Sequence, residues 1–185
     1  MKTITKFTQH PETGPLWARA GQPLLHRLRL QTLITLRWIA VAGQLSAVVI
    51  VYYGYSFPLP FWESLAVISL SAALNIYLML HYGANVRLRH RHVAMLLSYD
   101  IIHLAVLIYL TGGLANPFSL LFIVPTTISA STIKVKYTIG LGLLTVVCIT
   151  LLIPFHLPLP WGMENNIQLP LIYLVGVWVA LVCAL

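Results

Sequence analysis

Charge is what this chain has least of. Only 8% of its 185 residues are Asp, Glu, Lys or Arg, against roughly 25% in a soluble domain. So few charges cannot cover a surface that faces water. With 59% hydrophobic residues and a mean hydropathy of +0.87, the chain belongs in a lipid bilayer. Acids are scarcest, 4 in all, and of these Asp100 alone falls well inside an apolar stretch. Cysteine is nearly absent too. Cys148 and Cys183 lie on different stretches and at different depths, which argues against a disulfide and for two small buried hydrophobes. The chain lacks Gly-x-Ser-x-Gly, His-Glu-x-x-His, phosphate-cradling glycine loops and the cysteine or histidine spacings that hold a metal. No catalytic residue and no metal site is expected. Bis-histidine haem ligation needs two histidines at one depth. His103 is mid-span, His81 lies near the inner face and His156 near the outer, so no pair matches.

What the chain does have is apolar stretches of membrane length. A spanning helix needs about 20 apolar residues, or about 17 at the short limit. Six stretches qualify: Leu33–Tyr53, Phe61–His81, His92–Leu110, Phe118–Ile133, Tyr137–Pro154 and Leu169–Leu185. The fourth is the shortest and carries Pro125. None shows the alternation of a barrel strand, so all six are read as helices. The expected fold class is all-α, a bundle of six transmembrane helices over residues 32–185, preceded by a tail and interfacial segment over 1–31.

Basic residues orient this bundle. Lys2, Lys6, Arg19, Arg27, Arg29 and Arg37 precede or open the first helix; Arg87, Arg89 and Arg91 follow the second; Lys134 and Lys136 follow the fourth. The other three connections hold none. The positive-inside rule then puts the amino terminus, and with six spans both termini, in the cytoplasm. The net charge of +7 is accounted for by juxtamembrane arginines facing anionic lipid, with no nucleic-acid partner. The polar, basic start and the lack of a cleavage pattern exclude a secretory signal. Residues 24–31 read as a short interfacial helix, and Arg37 as a side chain that snorkels to the inner surface. The sequence stops inside the apolar run Val182-Cys183-Ala184-Leu185, which leads us to expect a longer natural chain continuing into the cytoplasm.

Two outer connections echo each other, Phe57-Pro58-Leu59-Pro60-Phe61-Trp62 and His156-Leu157-Pro158-Leu159-Pro160-Trp161. They read as a shared lid or, more simply, as helix-ending prolines with tryptophans in the interfacial belt. No longer internal repeat is present, which counts against a transporter.

Residues 111–118, Thr-Gly-Gly-Leu-Ala-Asn-Pro-Phe, form the most informative stretch. As a turn, Gly112 or Gly113 closes the third helix in a left-handed conformation, Asn116 caps the fourth and Pro117 takes its first position. As a pocket, the amino end of the fourth helix offers unpaired N–H groups to a carbonyl oxygen. The Asn116 side chain adds a polar group, the glycines admit close approach, and Phe118 and Tyr109 offer aromatic faces. A quinone, flat and carrying two carbonyls on an apolar tail, fits such a site at the outer rim. The two readings are compatible.

Asp100 and His103, three apart, share a helical face. Acids at membrane depth are candidates for function, here as a proton-coupled relay, or for tying helices together through Tyr99, Asn75 or the Thr126, Thr127 and Ser129 strip. The 12 residues from Asp100 to Gly112 span about 18 Å of helix, so Asp100 does not touch a ring held at the turn.

Gly112-Gly113-Leu114-Ala115-Asn116-Pro117-Phe118 resembles the Gly-Gly-x-x-Asn-Pro-Phe motif of the RegB/PrrB redox-sensing histidine kinases. Leu36-Arg37-Trp38-Ile39-Ala40-Val41-Ala42-Gly43-Gln44-Leu45 is similar to that family's first membrane helix. Asp100 and Phe155-His156-Leu157-Pro158-Leu159 also fit its pattern, so the likeness runs over roughly residues 28–185. The resemblance implies a sensor domain, in the bacterial inner membrane, for the redox state of the ubiquinone pool, with oxidised quinone lowering kinase activity. It carries quinone binding onto Gly112, Gly113, Asn116, Pro117 and Phe118. It also implies a homodimer and a cytoplasmic response regulator as partners. ATP and magnesium are implied only in a kinase region beyond Leu185, which would hold the phosphoacceptor histidine and the redox-active cysteine. The rival readings are a small transporter or channel built on Pro125 and Asp100, and a purely structural anchor for a dimeric enzyme.

Overall fold

The computed structural model describes residues 30–54, 59–82, 88–157 and 170–185, and every regular element among them is helical. Helix α1 (Leu30–Val49) runs on through a π-helical turn at Ile50–Gly54. Helices α2 (Phe61–His81) and α3 (His90–Leu110) follow. Two 3-10 segments, Gly113–Ala115 and Pro117–Phe122, lead into α4 (Ile123–Thr132), and α5 (Val135–Leu151) and α6 (Leu171–Ala184) complete the chain.

Three of these are long and apolar enough to cross a membrane: α1 with its extension, α2 and α3. At 1.5 Å per residue, the 21 residues of α3 make about 31 Å, close to a hydrocarbon core of about 30 Å. The remaining three are shorter apolar helices than the sequence suggested. Helix α5 stops at Leu151 rather than Pro154, because a proline disfavours helical conformation in the residue before it. The fourth stretch is divided. Pro125 lacks the N–H that would extend α4 backwards, and the chain ahead of it winds as a 3-10 helix. The tighter winding rises about 2 Å per residue. Six 3-10 and ten α residues thus reach roughly 27 Å, nearly a full bilayer core.

Helix α3 is the centre of the packing. Val93, Leu97, Ile101, Leu104 and Ile108 recur at spacings of three and four, a single stripe along the helix. Against it lie Leu141 and Ile149 of α5, Leu181 of α6, and Phe122 and Leu114 from the 3-10 segments. The inward stripe of α2 has the same period but different chemistry: Ser64, Ile68, Ser71, Asn75 and Leu78. Small and polar residues on such a stripe let helix backbones approach closely in lipid. Outward faces are apolar, with Leu80 at 80% and Ile172 at 81% exposure, the inverse of a water-facing surface. Trp178 of α6 donates its indole N–H to the Thr150 hydroxyl of α5 at 2.9 Å. Both cysteines are unpaired.

The amino-terminal tail and most of the expected interfacial helix lie outside the described residues, as do Phe57, Pro58 and the stretch 158–169 that would complete the shared lid. Leu30 and Gln31, expected in the interfacial segment, instead open α1.

Candidate functional site

The turn between α3 and α4 is built from its own sequence outwards. Helix α3 ends at Thr111, whose hydroxyl donates to the Leu107 carbonyl at 2.8 Å. Gly112 and Gly113 both adopt left-handed conformations, φ 101° and 62°, which any other residue takes at a cost. Asn116 then caps the next segment. Its Oδ1 accepts the Phe118 N–H at 2.9 Å. Its Nδ2 donates to the Thr111 hydroxyl at 2.7 Å and the Thr111 carbonyl at 3.2 Å. Pro117 occupies the first helical position. The Ser119 N–H donates to the Asn116 carbonyl at 2.9 Å, and the Asn116 N–H to the Gly113 carbonyl at 3.0 Å.

This geometry revises the expectation of open amide donors. Pro117 has no N–H, and those of Phe118 and Ser119 are taken by Asn116. Both ends of the Asn116 amide are engaged as well. The five residues singled out from sequence divide by burial: Gly112 and Gly113 face inwards, Asn116 is half-buried, and Pro117 and Phe118 are exposed. The open chemistry at the rim is aromatic, with Phe118 at 42% and Tyr109 at 38% exposure.

One neighbour of this turn, His156, enters the sequence reading through haem depth, the outer connection that echoes residues 57–62 and family likeness, but not as part of this site. The chain leaving α5 returns to the end of α3, where the Leu157 N–H donates to the Tyr109 carbonyl at 3.0 Å. That contact lays the His156 ring on Gly113. A Cβ at position 113 would lie 2.7 Å from the His156 Cγ. The Nδ1 atom of His156 is buried and has no hydrogen-bond partner among the described residues. A doubled glycine was the available signal: one suffices to close a helix, and a second asks for close approach.

A separate polar seam joins α1, α2 and α3. The Arg37 guanidinium Nη2 lies 3.2 Å from Asp100 Oδ1, off the hydrogen-bond direction. It also sits 5.1 Å from the centre of the Tyr99 ring. Tyr99 stacks on His103, ring centres 5.9 Å apart. The His103 Nε2–H donates to the Val67 carbonyl of α2 at 3.1 Å. Asn75 of α2, fully buried, donates to the Ile34 carbonyl of α1 at 3.1 Å.

The expectation that Arg37 snorkels to the surface is therefore wrong. It is 6% exposed, because α1 begins earlier than expected and a carboxylate on α3 offers a counter-charge. The Thr126, Thr127 and Ser129 strip is not bonded to Asp100 either. Thr126 meets Thr145 of α5 at 3.4 Å. Thr127 and Ser129 donate to carbonyls of their own helix, Ile123 and Thr126.

Buried charge at membrane depth and a capped turn presenting an aromatic ring define an all-helical membrane domain with a built polar interior. Two curated proteins match it, both described as sensor histidine kinase RegB. One, from Cereibacter sphaeroides, is 37% identical over 154 residues, 83% of this chain and 33% of its own length. The other, from a named strain of the same species, is 36% identical over 78 residues, 42% of this chain and 17% of its own length. The chain thus spans about a third of the first relative's length and belongs to the RegB/PrrB family. No family model and no solved structure matches it.

Proposed function

We propose that the chain is the membrane sensor region of a two-component histidine kinase, and that its α3–α4 turn binds ubiquinone at the outer rim of the bacterial inner membrane. In this reading the chain crosses the membrane six times with both ends in the cytoplasm, as the placement of its lysines and arginines favours. Quinone occupancy or redox state passes through α6 to a dimeric cytoplasmic kinase and from there to a response regulator. The observation that carries the reading is the exposed Phe118 ring, held by a turn that Asn116 caps, in a chain related to sensor kinases. Gly112, Gly113, Asn116 and Pro117 set the ring's position; Phe118 supplies the stacking face. A ligand shifts signalling only through different affinities for the two output states, and a tenfold preference amounts to about 1.4 kcal/mol.

The test is ubiquinone titration of the chain in lipid nanodiscs, alongside kinase output of the full-length protein in proteoliposomes. Phe118→Ala is expected to weaken quinone binding while the protein stays inserted. Asn116→Ala is expected to weaken it too, by freeing the turn. Unchanged titration in both variants would remove the proposal.

A second reading has one observation behind it. Every polar group of the Asn116 side chain is used within the turn, as a plain structural connection requires. If the domain only anchors and dimerises a kinase, output is the same with oxidised quinone, with quinol and with neither.

A further inference from the structure

We infer that His156 is the polar contact through which this turn recognises a ring oxygen of its ligand. The inference rests on the quinone reading above and adds to it the residue that makes the hydrogen bond.

The turn's Asn116 and Thr111 side chains and the amides that open the next segment are already committed. Asn116 Oδ1 holds the Phe118 N–H, Asn116 Nδ2 donates to Thr111, and the Thr111 hydroxyl donates to Leu107. The Ser119 N–H is bonded to the Asn116 carbonyl. A quinone stacked on Phe118 finds no uncommitted hydrogen-bonding group on Asn116 or Thr111, and the chain after α5 brings a side chain that has one. The Leu157–Tyr109 backbone bond fixes that segment against α3, and the imidazole rests on Gly113 at a distance that excludes a Cβ. The two glycines then have separate purposes: Gly112 turns the chain out of α3, and Gly113 also leaves the seat that the ring occupies.

His156 Nδ1 is buried with no partner among the described residues, and a buried nitrogen without a hydrogen bond carries a desolvation penalty. Rotation of the ring toward a ligand relieves that penalty and presents a polar nitrogen at the rim. Imidazole suits both redox forms. Its N–H donates to a quinone carbonyl, and its bare nitrogen accepts from a quinol hydroxyl. No proton passes between protein and ligand in either case. A preference for one redox form arises from how well each fits the ring's two nitrogens.

The experiment uses the chain in lipid nanodiscs and ubiquinone carrying a single isoprene unit. Three variants are compared with the unaltered protein. His156→Phe keeps a ring on Gly113 but removes both nitrogens. His156→Gln keeps one donor and one acceptor. Phe118→Ala tests the underlying site. His156→Phe is expected to bind about five- to tenfold more weakly, the loss of one neutral hydrogen bond, and His156→Gln to recover most of that. The infrared carbonyl stretch of bound, isotope-labelled ubiquinone is expected to lie below that of free quinone and to move back toward it in His156→Phe, a readout that a packing role would not shift. Normal binding and an unmoved carbonyl band in His156→Phe, with binding lost in Phe118→Ala, would overturn the inference and spare the quinone site. Binding unchanged in all three variants would overturn both. Loss in His156→Phe with Phe118→Ala unaffected would keep the hydrogen bond and overturn the stacking role of Phe118.

Discussion

The α1–α2–α3 seam and the α3–α4 turn satisfy their polar groups in opposite ways. In the turn every side-chain bond is local: Asn116 reaches Thr111 and Phe118, and Thr111 reaches Leu107. In the seam the bonds join residues far apart in sequence, Arg37 with Asp100, Asn75 with Ile34 and His103 with Val67. The turn ends in an exposed aromatic ring; the seam ends in an ion pair between a buried arginine and a half-buried aspartate. Local bonding lets the turn keep one shape whatever the helices do. Long-range bonding makes the seam depend on three helices staying in register. A sensor that reads a ligand at a rigid edge and transmits it through helix movement needs both kinds of region.

This contrast sets an order of expected effects. Asp100→Asn leaves the buried Arg37 charge without its counter-charge and is expected to destabilise by about 3–5 kcal/mol, read as unfolding in detergent. The paired Arg37→Met and Asp100→Leu replacement is expected to cost far less than that single change. If Asp100→Asn unfolds no sooner than the parent, the seam does not hold the helices. Next comes Gly113→Ala, which combines a left-handed backbone with the approach of His156. It is expected to cost about 2 kcal/mol. Adding His156→Ala should restore part of that loss, and strict additivity of the two changes would show that the ring does not rest there.

Asn116→Ala removes the cap and is expected to cost about 1 kcal/mol in thermal unfolding. A much larger loss would mean that the turn is not locally self-sufficient. The smallest effect belongs to Thr126→Val, which deletes one long hydroxyl contact between α4 and α5. It is expected near 0.6 kcal/mol; a loss on the Asp100→Asn scale would blur the distinction between the two regions.

Much of the turn was readable in advance, because glycine, asparagine and proline carry their conformational preferences with them. Gly112 closes α3, Asn116 caps and Pro117 starts the next segment, as those residue types require. The bounds of α2 were also plain, Phe61–His81 in both sequence and structure. Other features were not. Nothing near Arg37 in the chain announces Asp100, and an arginine close to a helix start is expected to reach for the interface. His156 was hidden because it lies more than forty residues from the glycine it covers.

Composition determined that this chain lives in a bilayer, because 8% charged residues cannot cover a water-facing surface, and its unbroken apolar stretches, without the alternation of barrel strands, determined helices. The residues at 112–118 likewise determined a tight turn there. Only the tertiary structure decided which charge meets which and what rests on Gly113. The reason is physical: propensity acts between neighbours along the chain, whereas an ion pair and a ring seated on a glycine exist only once distant helices have packed and brought them within a few ångströms.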